Sequence, residues 1–180
     1  MGLLIYINRI KENFEKDTRI TVVESLVMSL INYCCKIWGA ANKTLLQKVQ
    51  KVQNFAARVA DGTARKYDHV SPIFNALKWM KIENIYVYSI CIFVYKALHD
   101  KLPPWLISLP TNDQLTVVRT RQANDLFTPR TTTDIGSRAI LVRGPTLWNK
   151  LPHNIKEAGN LHCFREKLKK YLLISQNTAP

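Results

Sequence analysis

Paired carboxylates are missing from this sequence: no two aspartates adjoin anywhere in its 180 residues. Two-metal phosphoryl transfer needs clustered carboxylates, and none gather on an apparent strand. A glycine-rich phosphate loop, an H-E-x-x-H helix and a G-x-S-x-G elbow are also absent, so nothing marks a P-loop enzyme, a zinc protease or a serine hydrolase. Asp68-His69, followed by Ser71, lies too close in sequence for triad geometry and reads as a loop hydrogen-bond cluster. The four cysteines (Cys34, Cys35, Cys91, Cys163) have no metal-ligand spacing and read as buried free thiols in a reducing compartment. Residues 1–7 are apolar but lack a basic start and a small-residue cleavage site, so no signal peptide is expected. Tyr6 occupies the position where myristoylation wants Ser or Thr. The most apolar run, 85–98, is too short to span a bilayer and contains Lys96. These readings imply nucleus or cytoplasm, no membrane, no metal and no cofactor.

Acidic charge is scarce in general. Thirteen Asp and Glu oppose 26 Lys and Arg, a net +13 with a pI near 9.8. Such a surplus attracts polyanions, either nucleic acid or an acidic surface; the plainer reading is a basic surface kept for solubility. The excess is uneven. Residues 1–60 hold nine basic and four acidic groups, 61–110 hold six and four, and 111–180 hold eleven and five. A hydrophobic middle between two basic portions follows. With 47% hydrophobic and 22% charged residues, the chain can bury a core, and its length fits one domain or one with a small annex.

The apolar periodicity is helical over most of the first half. Leu3, Ile7, Ile10 and Phe14 predict a short amphipathic helix, interrupted at Lys16-Asp17-Thr18. A second helix would bury Ile20, Val23, Val27, Leu30 and Cys34, open with a capping box of Thr21 and Glu24, and close at Trp38-Gly39 with glycine left-handed. A third, over 44–60, has an apolar seam of Leu45, Val49, Val52, Ala56 and Val59. Beside that seam runs a stripe of Lys48, Lys51, Phe55 and Arg58, and Gln47, Gln50 and Asn54 fill the remaining arc. No acidic residue interrupts 43–58. The competing reading is an ordinary solvated face. Asp61-Gly62 ends this helix, and Ser71 caps a short one with Pro72 in its first turn. The stretch 82–99 is apolar almost all round and predicts a buried central helix, its tyrosines core or rim residues rather than a base-stacking platform.

Tandem prolines at Pro103-Pro104 stop any helix. Beyond them Thr, Arg, Asn and Pro predominate, with β-like runs at 115–118 and 139–142. Gly144-Pro145 reads as a turn, and Asn160 caps a final helix that buries Leu161, Phe164, Leu168 and Leu172. The expected fold is therefore mainly α. A helical bundle occupies 1–102, and a loop-rich accessory segment with short strands occupies 103–180 and ends in an amphipathic helix.

The candidate binding residues are those able to neutralise phosphates: Lys48, Lys51 and Arg58, continued by Arg65 and Lys66. A second, Thr-interleaved set comprises Arg119, Arg121, Arg130, Arg138 and Arg143.

Several ordered strings carry a family likeness. They run from 30–35 (LINYCC) and 37–39 (IWG) through 46–58 (LQKVQKVQNFAAR), 67–72 (YDHVSP) and 77–80 (LKWM). They continue with 94–98 (VYKAL), 103–106 (PPWL), 138–139, 144–145 and 147–152 (LWNKLP), and end at Phe164 and 168–172 (LKKYL). In order and spacing these resemble the thumb and downstream region of LINE-type, jockey-like non-LTR retrotransposon reverse transcriptases. The resemblance implies a helical thumb that grips a primer–template duplex by its backbone. It also implies that the family's endonuclease, fingers and palm, with the metal-binding carboxylates, would lie before residue 1. Polymerase activity therefore does not carry over to this chain. The expected partners are RNA, an RNA–DNA hybrid or a DNA duplex, with a reverse transcriptase palm supplied in trans as a further one. The competing functions are a helical protein-interaction module without nucleic-acid binding, and a polymerase subunit completed by another chain. The first of these would show an apolar patch on the first two helices.

Overall fold

The computed structural model describes residues 2–63, 68–103, 105–115 and 125–178. Among them the secondary structure is helical and no strand forms, so the fold is mainly α. The chain makes two compact units, Met1–Ile85 with Leu173–Pro180, and Tyr86–Leu172. These group residues by contact, whereas the division at 102/103 marks where prolines forbid helix.

The first unit opens with α1 (Gly2–Ile10), a 3-10 turn (Lys11–Asn13) and α2 (Lys16–Val23). A π turn (Glu24–Met28), α3 (Ser29–Asn32), α4 (Cys35–Trp38), α5 (Lys43–Asp61) and α6 (Ser71–Leu77) follow. Both α1 and α2 pack on α5. In α1 the buried residues are Leu4 and Ile7, and Leu3 faces outward. The first break comes at Phe14 and Glu15, both extended, and not at Lys16-Asp17-Thr18, which instead begins α2. Thr21 is therefore mid-helix. Its hydroxyl donates to the Asp17 carbonyl at 2.9 Å, and Glu24 accepts from the Trp79 indole at 2.8 Å, so no capping box forms.

The π turn explains a larger departure. Each helical residue advances about 100° around the axis, and one extra residue rotates everything after it by about that much. The stripe begun by Val23 and Val27 consequently continues through Met28 and Ile31, while Leu30 is 70% exposed. Gly39 is right-handed at φ −65°; the left-handed residue is Cys34 at φ 49°, which separates α3 from α4. Cys34 is exposed, so only Cys35 and Cys91 are buried thiols, with Cys163 half-buried.

Both ends of α5 follow local sequence signals. Asn42 Oδ1 accepts from the Leu45 amide at 2.9 Å, and Gly62, at φ 80°, donates to the Arg58 carbonyl at 2.9 Å. The Arg19 guanidinium gathers the carbonyls at this end. It donates to Asp61 at 3.1 Å and Ala60 at 3.5 Å, and to Lys11 and Phe14 at 3.2 and 3.0 Å. A cation there also complements the negative end of the helix dipole. Ser71 is the first residue of α6 rather than its cap, for Val70 holds the cap position and no side chain caps the helix.

The connector after α6 has backbone groups that no helix can satisfy, and glutamines satisfy them instead. Gln53, wholly buried, donates to the Met80 carbonyl at 2.8 Å. Gln176 donates to the Trp79 carbonyl at 3.1 Å and accepts from the Lys81 amide at 3.2 Å. Gln50 accepts from the Ile82 amide at 2.9 Å and donates to Gln53 and Asn54 at 3.0 and 2.8 Å. Gln50, read with Gln47 and Asn54 as part of an amide-rich face offered outward, is thus engaged in internal structure, while Gln47 stays exposed.

The second unit takes its main helices from α7 (Ile82–Leu98), whose first turn belongs to the first unit, and from α12 below. Between them lie α8 (Asn112–Leu115), α9 (Asp134–Arg138), α10 (Ile140–Asn149) and α11 (His153–Lys156). The last helix, α12 (Leu161–Thr178), is capped by Asn160, whose Oδ1 accepts from the Cys163 amide at 2.8 Å. The core is a ring stack: Tyr95 lies 4.4 Å from Phe164 and 3.9 Å from His99, and Trp148 lies 5.7 Å from Phe164. Tyr95 donates its hydroxyl to the Ala158 carbonyl at 2.9 Å. Tyr86 is also buried and Tyr88 half-buried, as core and rim positions require.

No strand forms at 139–142. Ala139 precedes α10, and Ile140 to Val142 make its first turn, because tertiary burial of the Trp148 face outweighs the β preference of Ile140 and Val142. Gly144 and Pro145 are inside α10 and buried rather than a turn; a Cβ on Gly144 would sit 3.1 Å from Val94. Of the other expected strand, 116–118 lie outside the described residues. Extended pairing appears as one isolated bridge between Thr111 and Leu126. The Asn149 amide holds it, exchanging two hydrogen bonds with the Leu126 backbone at 3.0 and 2.9 Å.

Candidate nucleic-acid interface

The C-terminal half of α5 is buried through Ala56, Ala57, Val59 and Ala60, while its N-terminal half leaves Lys43, Gln47, Lys48 and Lys51 exposed. At 100° per residue the three lysines occupy an arc of about 140°. No ion pair or hydrogen bond engages Lys48 or Lys51 among the described residues. These two remain free cations side by side on one helix.

Arg58 lies on the same side of α5 but is differently employed. It is half-buried, and its Nη2 donates to the Asp68 carbonyl at 2.9 Å. Its Nε is buried without a partner among the described residues. Beside it opens a cleft of about 440 Å³, lined from α5 by Gln50, Asn54 and Arg58, from the following loop by Asp68, His69 and Val70, and then by Ser71, Phe74 and Lys81. Sequence reasoning did not anticipate Lys81, His69 or Asn54 here. They come from three separate stretches, and only the fold of α5 against α6 and the connector assembles them. His69 and Ser71 share no hydrogen bond, although both line the cleft.

Arg65 and Lys66 lie outside the described residues, as do Arg119 and Arg121. In the second unit Arg130 and Arg143 are exposed. Arg138 is not free: it pairs with the Asp134 carboxylate one turn earlier and donates its Nε to the Asp134 carbonyl at 3.2 Å. Exposed cations also line α12 at Arg165, Lys169 and Lys170, while Lys167 donates to the Asn154 carbonyl at 3.1 Å.

Two of the described groups, Cys91 and Tyr88, have shifted titrations. Burial pushes the Cys91 thiol up to about 12. Burial also raises Tyr88, with Arg165 opposing the shift and Glu166 reinforcing it. Among the described residues no group of His, Cys, Asp and Glu is placed to hold a metal ion, and no helix is long and apolar enough to cross a membrane. The chain matches no family model, no curated protein and no solved structure.

Proposed function

We propose that this chain is a non-catalytic nucleic-acid-binding fragment of a LINE-type reverse transcriptase, working in nucleus or cytoplasm. It holds RNA, an RNA–DNA hybrid or a DNA duplex by the phosphate backbone, with a palm in trans as a further partner. The observation that carries this reading is the pair of exposed, unengaged lysines, Lys48 and Lys51, on a helix face without acidic neighbours. Lysines so placed displace condensed counterions on meeting phosphates, which gives affinity indifferent to base sequence and steeply dependent on salt. The thumb resemblance supports the same face by an independent route.

A salt titration of binding to an RNA–DNA hybrid tests it. Affinity should fall steeply with salt, and the Lys48→Ala, Lys51→Ala double variant should reduce the slope of log affinity against log salt by about two. Absent or salt-insensitive binding would sink the proposal. Primer extension with magnesium should yield no product from the purified chain.

A second reading, a helical protein-interaction module, also has a specific observation behind it. Leu3, Tyr6, Leu26, Leu30, Tyr33 and Ile37 are all exposed on the first helical segments, Leu30 to Ile37 by 70–76%. Large apolar side chains grouped at helical spacing favour a protein partner.

A further inference from the structure

The cleft beside Arg58 has a composition that the lysine face of α5 does not explain. Its free polar groups can nearly all donate hydrogen bonds, and the Asn54 NH2 and Lys81 ammonium can only donate. Arg58 lines the cleft with one of its Nη groups held by the Asp68 carbonyl, and its Nε is buried without a partner among the described residues. The Asn54 amide has its oxygen occupied by Gln50, which leaves its NH2 unengaged. The Ser71 hydroxyl, the His69 ring and the Lys81 ammonium have no partner among the described residues. Among the described lining residues one carboxylate is present, that of Asp68.

A cavity lined in this way is matched by an anionic ligand rich in acceptors. A cationic ligand would bring a like charge against Arg58 and Lys81, which is unfavourable. A carboxylate offers two oxygens, whereas a phosphate monoester offers three with nearly two charges at neutral pH. Arginine suits such a group by its forked donors, and lysine by its point charge. The volume of about 440 Å³ is also too large for a bare phosphate and lies in the lower part of the range for small-molecule sites. Val70 and Phe74 give the wall an apolar part that can receive an organic group.

We propose that this cleft binds a phosphate monoester borne on a small organic group, with Arg58 and Lys81 on the phosphate. A nucleoside monophosphate is the simplest probe of that class. The proposal goes beyond backbone holding by Lys48 and Lys51 of α5, because it joins Arg58 to Lys81 of the connector and takes a different ligand.

Calorimetric titration of the full chain with adenosine monophosphate, adenosine and inorganic phosphate tests it. Adenosine monophosphate should bind saturably, inorganic phosphate should compete more weakly, and adenosine should not bind. Lys81→Ala and Arg58→Gln should each weaken binding about tenfold, and Arg58→Lys should restore part of the loss. Lys81 is exposed, so its variant keeps the test decisive even if Arg58→Gln fails to fold. Three results would overturn the proposal: no saturable binding at about 10 mM ligand, adenosine binding as well as its monophosphate, or undiminished binding by Lys81→Ala. Failure here with the hybrid's salt dependence intact overturns the cleft alone. Loss of salt-dependent hybrid binding with the monophosphate still bound overturns only the α5 reading.

Discussion

In the first unit, buried glutamines stitch a connector to the helices around it; in the second, Tyr95, Phe164 and Trp148 meet ring against ring. The two solutions stabilise in different ways. An amide bonded to a backbone carbonyl contributes only about 0.5–1.5 kcal/mol net, yet leaving the carbonyl unpartnered costs more than the bond contributes. A buried ring contributes through area and contact, without a single obligatory direction. The first unit should therefore be particular about chemical identity, and the second about volume.

The sharpest way to break that contrast is Phe164→Ala, which removes a wholly buried ring lying against both Tyr95 and Trp148. A loss of about 3–5 kcal/mol is expected in urea unfolding, and a loss under about 1 kcal/mol would contradict a volume-driven core. Next comes Gln53→Met, which nearly conserves size but leaves the Met80 carbonyl without its donor. A cost of about 1–3 kcal/mol should appear in the same experiment, and a neutral outcome would show that the amide's identity does not matter. Gly62→Ala should cost about 1–2 kcal/mol by thermal or chemical melting, from its left-handed backbone. The new Cβ would also press on the Arg19 guanidinium that gathers the end of α5. The smallest effect leaves stability untouched. With its pKa raised to about 12, Cys91 at pH 8 is thiolate in only about one molecule in ten thousand, so alkylation should mark exposed Cys34 and spare Cys91. Only strongly alkaline conditions should bring Cys91 into reaction.

Features set by a few neighbouring residues were legible in the sequence. Asn160 sits at a helix start with its cap made, Gly62 closes α5, and the all-round apolar stretch is the helix α7, whereas the Asn42 cap went unread. The inner face of α12, Phe164, Leu168 and Leu172, also follows from period alone. What escaped depends on distant contacts. The reversal of Leu30 and Ile31 requires the π turn, which no local propensity announces. The use of Gln50 and Gln53 as partners for a connector some thirty residues on cannot be inferred from an amide-rich helix face. The candidate site divides in the same way. Lys48 and Lys51 are readable as one stripe, whereas Arg58 belongs to a cleft whose other walls come from the loop and the connector.

The π turn at Glu24–Met28 has one consequence for how this region can change in length. It holds one residue more than a regular helix would need to join Val23 to Ile31 on the same inner side. Excising Ser25 would let the segment relax into ordinary α-helix, with Met28 and Ile31 still turned inward. Excising a residue from α5 would instead rotate half of that helix away from its neighbours. Slack of a single residue is therefore stored in one place, and the chain there can shorten without losing its register.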